Sequence, residues 1–256
     1  MSKIFDALRK AEQNRRRDRT SARKVPGRKR RAAGQGGEDV IIGGLDSDFT
    51  RSLYTLRNAI DTEIRDKGSR VVMITSSIAG EGKTTIAGFL ARVIASNEME
   101  SVLLVDCAVK NSNLGDIFGV EKEKGIVDYL LEEAEIKDII TNADHSALDI
   151  VKTGQVRKES IIQPLFNSDR MQFFINQVAE KYDYVLFDTS PVLDAPETSI
   201  LSPQMDGVVL VVRASKTKRE VIKRAMMMLN KQGGNLIGSV LNRKRYYIPE
   251  FIYKRV

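Results

Sequence analysis

The sequence predicts a doubly wound α/β domain on a mostly parallel sheet, preceded by a disordered basic tail. Three observations predict it. Six short apolar runs recur along the chain, helical patterns separate them, and the first run empties into a glycine-containing loop that opens a helix. Short, nearly continuous apolar runs are what strands become when both faces of a parallel sheet are covered.

The first 44 residues form a segment of their own. Residues 2–14 pattern as a short helix with Ile4, Phe5, Leu8 and Ala11 on one face. From Arg15 to about Gly44 the chain is rich in Arg and Lys, then in Gly, with almost nothing to bury, and reads as a linker. Residues 45–245 carry the α/β pattern, and 246–256 form a tyrosine-containing tail. Residues 48–66 read as a helix with Phe49, Leu53, Leu56 and Ile60 on one side. The first strand begins at Val71. Five further strand candidates follow, at Val102–Asp106, Leu148–Val151, Tyr184–Asp188, Val208–Val212 and Ile237–Leu241. Helical spacing fills the intervals at Ile126–Leu131, Arg170–Val178 and Val221–Leu229.

Composition bounds the function classes. The first 36 residues hold 13 Lys or Arg against 3 Asp or Glu, whereas the remainder holds 28 against 31. The formal charge of +7 therefore belongs to the leader, and the mildly acidic remainder argues against nucleic acid as a partner. A leader of this charge is suited to an anionic membrane surface or an acidic partner. Cys107 is the only cysteine, so no disulfide framework forms. His145 is the only histidine, which removes His-based metal sites and Ser-His-Asp triads. No apolar run approaches the roughly 18 residues of a membrane span, and no signal-peptide pattern opens the chain. The expected location is the cytoplasm, or the periphery of the membrane's inner face.

The stretch Val71–Thr85 carries the chemistry. An apolar strand leads to Ala79-Gly80-Glu81-Gly82-Lys83-Thr84-Thr85, and Ile86, Phe89, Leu90, Val93 and Ile94 continue at helical spacing. This is the arrangement of a phosphate-binding P-loop, with Ser77 where the first glycine usually stands. Gly80 and Gly82 let backbone N–H groups approach phosphate oxygens, Lys83 reaches the β- and γ-phosphates, and Thr84 is the candidate Mg²⁺ ligand. The expected cofactors are ATP and Mg²⁺. Two strands end in acids, Asp106 and Asp188, and an acid there is a common way to steady the metal. Both are candidate catalytic and metal-binding residues. Asn242 ends the last strand and is a candidate reader of the adenine edge.

These motifs resemble the cytoplasmic domain of bacterial tyrosine autokinases, P-loop ATPases of capsule and exopolysaccharide production. The resemblance runs from about Asp48 to the C-terminus. It covers Ser76–Thr85, Val102–Asp106, Tyr182–Val192 with its Asp188-Thr189-Ser190-Pro191, Asp206–Arg213 and Val240-Leu241-Asn242. Met1–Glu12 resembles the leader of autokinase-like ATPases encoded with exopolysaccharide systems. Cell-division and plasmid-partitioning ATPases place a second lysine where Ile78 stands here. The resemblance implies transfer of the γ-phosphate of MgATP to C-terminal tyrosines of a neighbouring subunit in a homo-oligomer. Tyr246, Tyr247 and Tyr253 are the candidate acceptors. It also implies an activating segment from a membrane polysaccharide co-polymerase, expected here as a separate protein.

Three departures from the family pattern matter. Ala108 replaces a second aspartate after Asp106, a loss that costs about 10²–10⁴-fold in rate if that group acts as a general base. Asp48 and Arg51 fit the family's oligomer-forming helix, but Tyr54 replaces its second arginine. Gln155–Ser160 replaces a proline-rich segment. Two readings therefore stand: a tyrosine autokinase, and a non-kinase ATPase switch that controls a membrane partner through nucleotide-dependent assembly.

Overall fold

Apolar residues on both faces of successive strands force a covered sheet, and the chain builds one. The computed structural model describes residues 47–243 apart from 66–67, 98, 111–113, 122 and 144–145. The leader, the tail with its three tyrosines, and His145 lie outside the described residues.

The first half comprises α1 (Ser47–Glu63), β1 (Arg70–Ser76), α2 (Lys83–Ala95), β2 (Val102–Cys107), α3 (Leu114–Phe118), α4 (Ile126–Leu130), α5 (Ile136–Ile139), β3 (Ile140–Asn142) and β4 (Leu148–Val151). The second comprises α6 (Ile162–Phe166), α7 (Asp169–Ala179), β5 (Tyr184–Thr189), α8 (Pro196–Leu201), β6 (Gly207–Arg213), α9 (Arg219–Lys231) and β7 (Leu236–Asn242). The strands order as β3-β4-β2-β5-β1-β6-β7, parallel except for the antiparallel β3–β4 pair. All six expected strands form. β3 was not expected: three residues are too few to show a period, and its pattern is partly exposed.

Strand alternation sends side chains into two cores. Val71, Met73, Leu103, Val105, Val185 and Phe187 meet Phe174 and Val178 of α7 and Ala225 and Leu229 of α9. Val72, Ile74, Leu104 and Leu186 meet Leu53 and Ile60 of α1 and Ile86, Leu90 and Ile94 of α2. Each such side chain contributes about 1.5–3 kcal/mol of burial free energy. Covering both faces explains why β1, β2, β5 and β6 read as almost unbroken apolar runs.

Helix α1 is fastened by polar groups as well as by Leu53 and Ile60. Arg70 pairs with Asp61 at 2.7 Å, and Arg57 pairs with Glu100 at 2.6 Å. The Tyr184 hydroxyl donates to Asp61, and both guanidiniums lie over the Tyr184 ring. Burial and the bond to Asp61 push the Tyr184 phenol up to about 12, so it stays a donor. An edge-to-face contact between Phe49 and Phe89, 5.5 Å between centroids, joins α1 to α2. Replacing Asp61 by Ala strands the Tyr184 hydroxyl and Arg70 together. We expect Asp61→Ala to cost about 1–3 kcal/mol in urea unfolding, and unchanged stability would show that the cluster is ornamental.

Candidate functional site

The strand order reverses at β1. From β1 the chain runs to β2 on one side, whereas β6 and β7 extend on the other, so β1 sits between β5 and β6. In a doubly wound sheet the crevice beyond the carboxyl ends at such a point is where ligands bind. The loop at residues 77–82, the acid ending β5 and the acid ending β2 converge there.

Two glycines shape the loop. Gly80 has φ 80° and Gly82 has φ 96°, the left-handed region that L side chains rarely adopt. Space adds a second constraint at Gly82, where a Cβ would stand 2.2 Å from Asn242 Nδ2. Gly82 is the N-cap of α2, no side chain caps that helix, and its first turn holds no acid. The amides opening α2 are thus left for an anion, and the helix dipole favours one. Ala79, Gly80 and Thr85 are exposed along this rim.

The loop is held from behind by Glu81. Its carboxylate is 2% exposed and faces the protein, accepting from the Ile78 N–H at 3.0 Å and the Arg213 N–H at 3.1 Å. The Thr217 hydroxyl also donates to it, so one side chain ties the loop to the end of β6 and the segment before α9. Asn242, ending β7, donates its amide to the Glu81 carbonyl at 2.8 Å, and its oxygen accepts from the Arg243 N–H. Glu81 and Asn242, both expected to touch nucleotide, thus brace the phosphate loop through their side chains. Adenine reading by Asn242 would require its amide to leave Glu81.

The acids lie side by side. Asp106 of β2 and Asp188 of β5 are register partners, and both are wholly buried. Asp106 accepts from the Ala108 N–H at 2.9 Å. Among the described residues neither oxygen of Asp188 makes a well-formed hydrogen bond, although the Thr84 hydroxyl is near enough to favour its charged form. Lys83 Nζ lies 3.8 Å from Asp188 Oδ1 and donates to the Thr84 hydroxyl at 3.2 Å. Burial pushes the Asp188 carboxyl up to about 7, with Lys83 pulling it down and Asp106 adding to the rise. A buried carboxylate short of partners, beside a second acid and a threonine hydroxyl, is an oxygen donor set that fits a hard divalent cation. No cluster of three His, Cys, Asp or Glu forms among the described residues, so ligand oxygens would have to complete the shell. Burial, Asp106 and Asp188 together push the Cys107 thiol well above its ordinary range, so it is no nucleophile.

Lys83, Thr84, Asp106, Asp188 and the loop glycines thus meet in one crevice. Two contributors were missed from sequence, Thr217 and the Arg213 N–H, which hold Glu81. They lie 136 and 132 residues from Glu81, and no local signal marks them.

Two outcomes follow from this geometry. Gly82→Ala should cost at least about 1–2 kcal/mol from the left-handed backbone and displace Asn242, seen as lost nucleotide affinity in titration together with a lower melting temperature. For Asp188, the unfolded chain gives up its proton near pH 4 while the folded chain holds it to about 7. The group therefore removes stability as pH rises through that window, and the cost is complete above it. Asp188→Asn should melt higher than wild type at pH 8, with the gap narrowing by pH 5; a pH-independent gap would contradict the burial argument.

Comparison with known proteins gives the family. A family model described as an AAA domain (AAA_31) matches residues 69–232. Tyrosine-protein kinase YwqD of Bacillus subtilis is 30% identical over 191 residues, covering 75% of this chain and 79% of that protein. Tyrosine-protein kinase etk of Escherichia coli is 26% identical over 75% of this chain, which spans only 26% of that protein. The solved kinase domain of Escherichia coli ETK shares the fold with a TM-score of 0.76, 24% identity and coverage of 86% of this chain and 85% of that one. By that family match and by the 30% identity to a kinase of which it covers 79%, the chain belongs to the family of bacterial tyrosine-protein kinases.

Proposed function

We propose that this chain is an ATP-dependent protein-tyrosine autokinase that transfers the γ-phosphate to Tyr246, Tyr247 and Tyr253 and so regulates exopolysaccharide or capsule polymerisation or export. The observation that carries the proposal is Asp188: a buried carboxylate without a well-formed hydrogen bond, 3.8 Å from the P-loop lysine and in register with Asp106. The loop amides and the start of α2 orient the phosphates, and Lys83 turns from Asp188 to the transferring group. Thr84, Asp106 and Asp188 would hold Mg²⁺, which would supply charge neutralisation to the phosphates. Asp106 and Asp188 offer the carboxylates beside which a tyrosine hydroxyl loses its proton. Phosphorylated tails carry about −1.5 to −2 charge per tyrosine and are repelled from the acids.

In this reading the acceptor tail comes from another copy in a homo-oligomer, and a separate membrane polysaccharide co-polymerase supplies the activating segment. The exposed Asp48–Arg51 pair on α1, at 3.6 Å, supports a contact face there. No helix among the described residues is long and apolar enough to cross a membrane. The basic leader adds attraction to an anionic membrane surface. Ala108 favours the second reading, a non-kinase ATPase switch acting by assembly alone: it is buried, and only its backbone N–H serves Asp106 where the family pattern has a carboxylate.

The test is incubation of the full chain with MgATP and mass spectrometry of the C-terminal peptide. The kinase reading expects phosphate on at least one of the three tail tyrosines, and Lys83→Met should lower it by at least about 10²-fold. ATP hydrolysis without phosphotyrosine, even with the partner's cytoplasmic segment added, would leave the switch.

A further inference from the structure

Helix α9 turns two unlike faces outward and inward. Its inner face is ordinary, with Ala225 and Leu229 buried against the sheet. Its outer face leaves Met227 70% exposed and Met226 37% exposed. On a helix the residues three and four away are neighbours. For Met227 these are Lys223, Arg224, Asn230 and Lys231, all exposed. Among the described residues none of these three cations is in an ion pair. A large apolar side chain therefore stands in water inside a ring of unpaired positive charge.

The charge is local to this helix. Residues 216–231 hold six Lys or Arg against one acid, Glu220, although the chain after residue 36 holds 28 against 31. Cations around an apolar side chain fit a partner that is anionic outside and apolar just beneath. Anionic lipid headgroups over acyl chains are such a partner. Shape favours them over an acidic peptide, because a single outward helix face is convex and gives a peptide no groove, whereas a headgroup layer needs none. The face also lies away from the surfaces already assigned. α9 packs on the core of Val71 and Phe187, and α1 with its Asp48–Arg51 pair packs on the opposite one. The helix begins beside Thr217, which holds Glu81, and Lys231 ends it about 18 Å further on.

We propose that the outer face of α9, with Lys223, Arg224 and Lys231 around Met227, docks the folded domain on an anionic lipid membrane. The three cations meet the headgroups, and Met227 enters the boundary between headgroups and acyl chains. Ala225 and Leu229 stay in the core, so the helix docks without leaving the fold. Attraction through the basic leader leaves the domain free to turn, whereas a patch on the domain itself fixes which side faces the bilayer. The two act as linked weak sites, since binding by one raises the effective concentration of the surface at the other. The inference goes beyond the transfer reaction and holds under the kinase and the switch readings alike.

The chain has no tryptophan, so Met227→Trp places a sole reporter on the face. The full chain is mixed with phosphatidylcholine vesicles, with and without phosphatidylserine. On the anionic vesicles alone, Met227→Trp emission should shift to the blue and be quenched by brominated acyl chains, and high salt should abolish both. Ile117→Trp, at a residue 53% exposed beside the opposite core, should keep its solvent emission. Each cation near such a surface is worth about fivefold in partitioning. Replacing Lys223, Arg224 and Lys231 together by Gln should therefore lower vesicle binding by at least about tenfold, with an unchanged melting temperature. Three results overturn the inference: no binding of wild type to anionic vesicles, undiminished binding of the triple variant, or solvent-like Met227→Trp emission on vesicles that carry the chain. The last two assign the membrane to the leader. Loss of polyglutamate binding by the triple variant, with vesicle binding kept, assigns the face to an acidic protein and overturns it too.

Discussion

Asp188 stores an electrostatic imbalance at the centre of the molecule. It stands near the end of a strand whose every residue is buried, beside a second wholly buried acid. Among the described residues Lys83 is its ion-pair partner and the Thr84 hydroxyl also favours its charge, with neither oxygen in a well-formed hydrogen bond. Taking a carboxylate out of water without partners costs several kcal/mol, and the group responds by holding its proton to about 7. Removing Lys83 leaves the acid without its counter-charge; removing Asp106 removes the like charge that makes a cation welcome. The rest of the site is a scaffold for keeping these three groups close and dry.

That scaffold works by tying elements distant in sequence to one short loop. Glu81 points inward and gathers the Ile78 N–H, the Arg213 N–H and the Thr217 hydroxyl, while Asn242 holds its carbonyl from the end of β7. Among the described residues the exposed rim at Ala79 and Gly80 is thus left to a ligand, while Glu81 and Asn242 hold the loop from its inner side. A phosphate meets amides already in place, so little ordering entropy is lost on binding.

Much of this was legible from sequence, for identifiable reasons. Continuous apolar runs mark β1, β2, β5 and β6 because both faces of the sheet are covered. Gly80 and Gly82 announce themselves because a positive φ excludes most other residues, and Asp106 and Asp188 because an acid ending an apolar strand is conspicuous. β3 escaped since three half-exposed residues carry no period. The inward turn of Glu81 escaped because a carboxylate between two P-loop glycines looks like a solvent-facing residue until Thr217 and Arg213 are brought beside it.

Residue type and local spacing alone determined that this chain builds a P-loop ahead of a helix, within a covered parallel sheet, with acids ending two strands. Those features depend on backbone stereochemistry and on hydrophobic periodicity, both properties of neighbours in the chain. Tertiary structure alone decided that the two acids are register partners, that Lys83 rests against one of them, and that Asn242 braces the loop. Each of these depends on which strand lies beside which and which helix covers which face, and pairing between distant segments leaves no mark on the residues that lie between them.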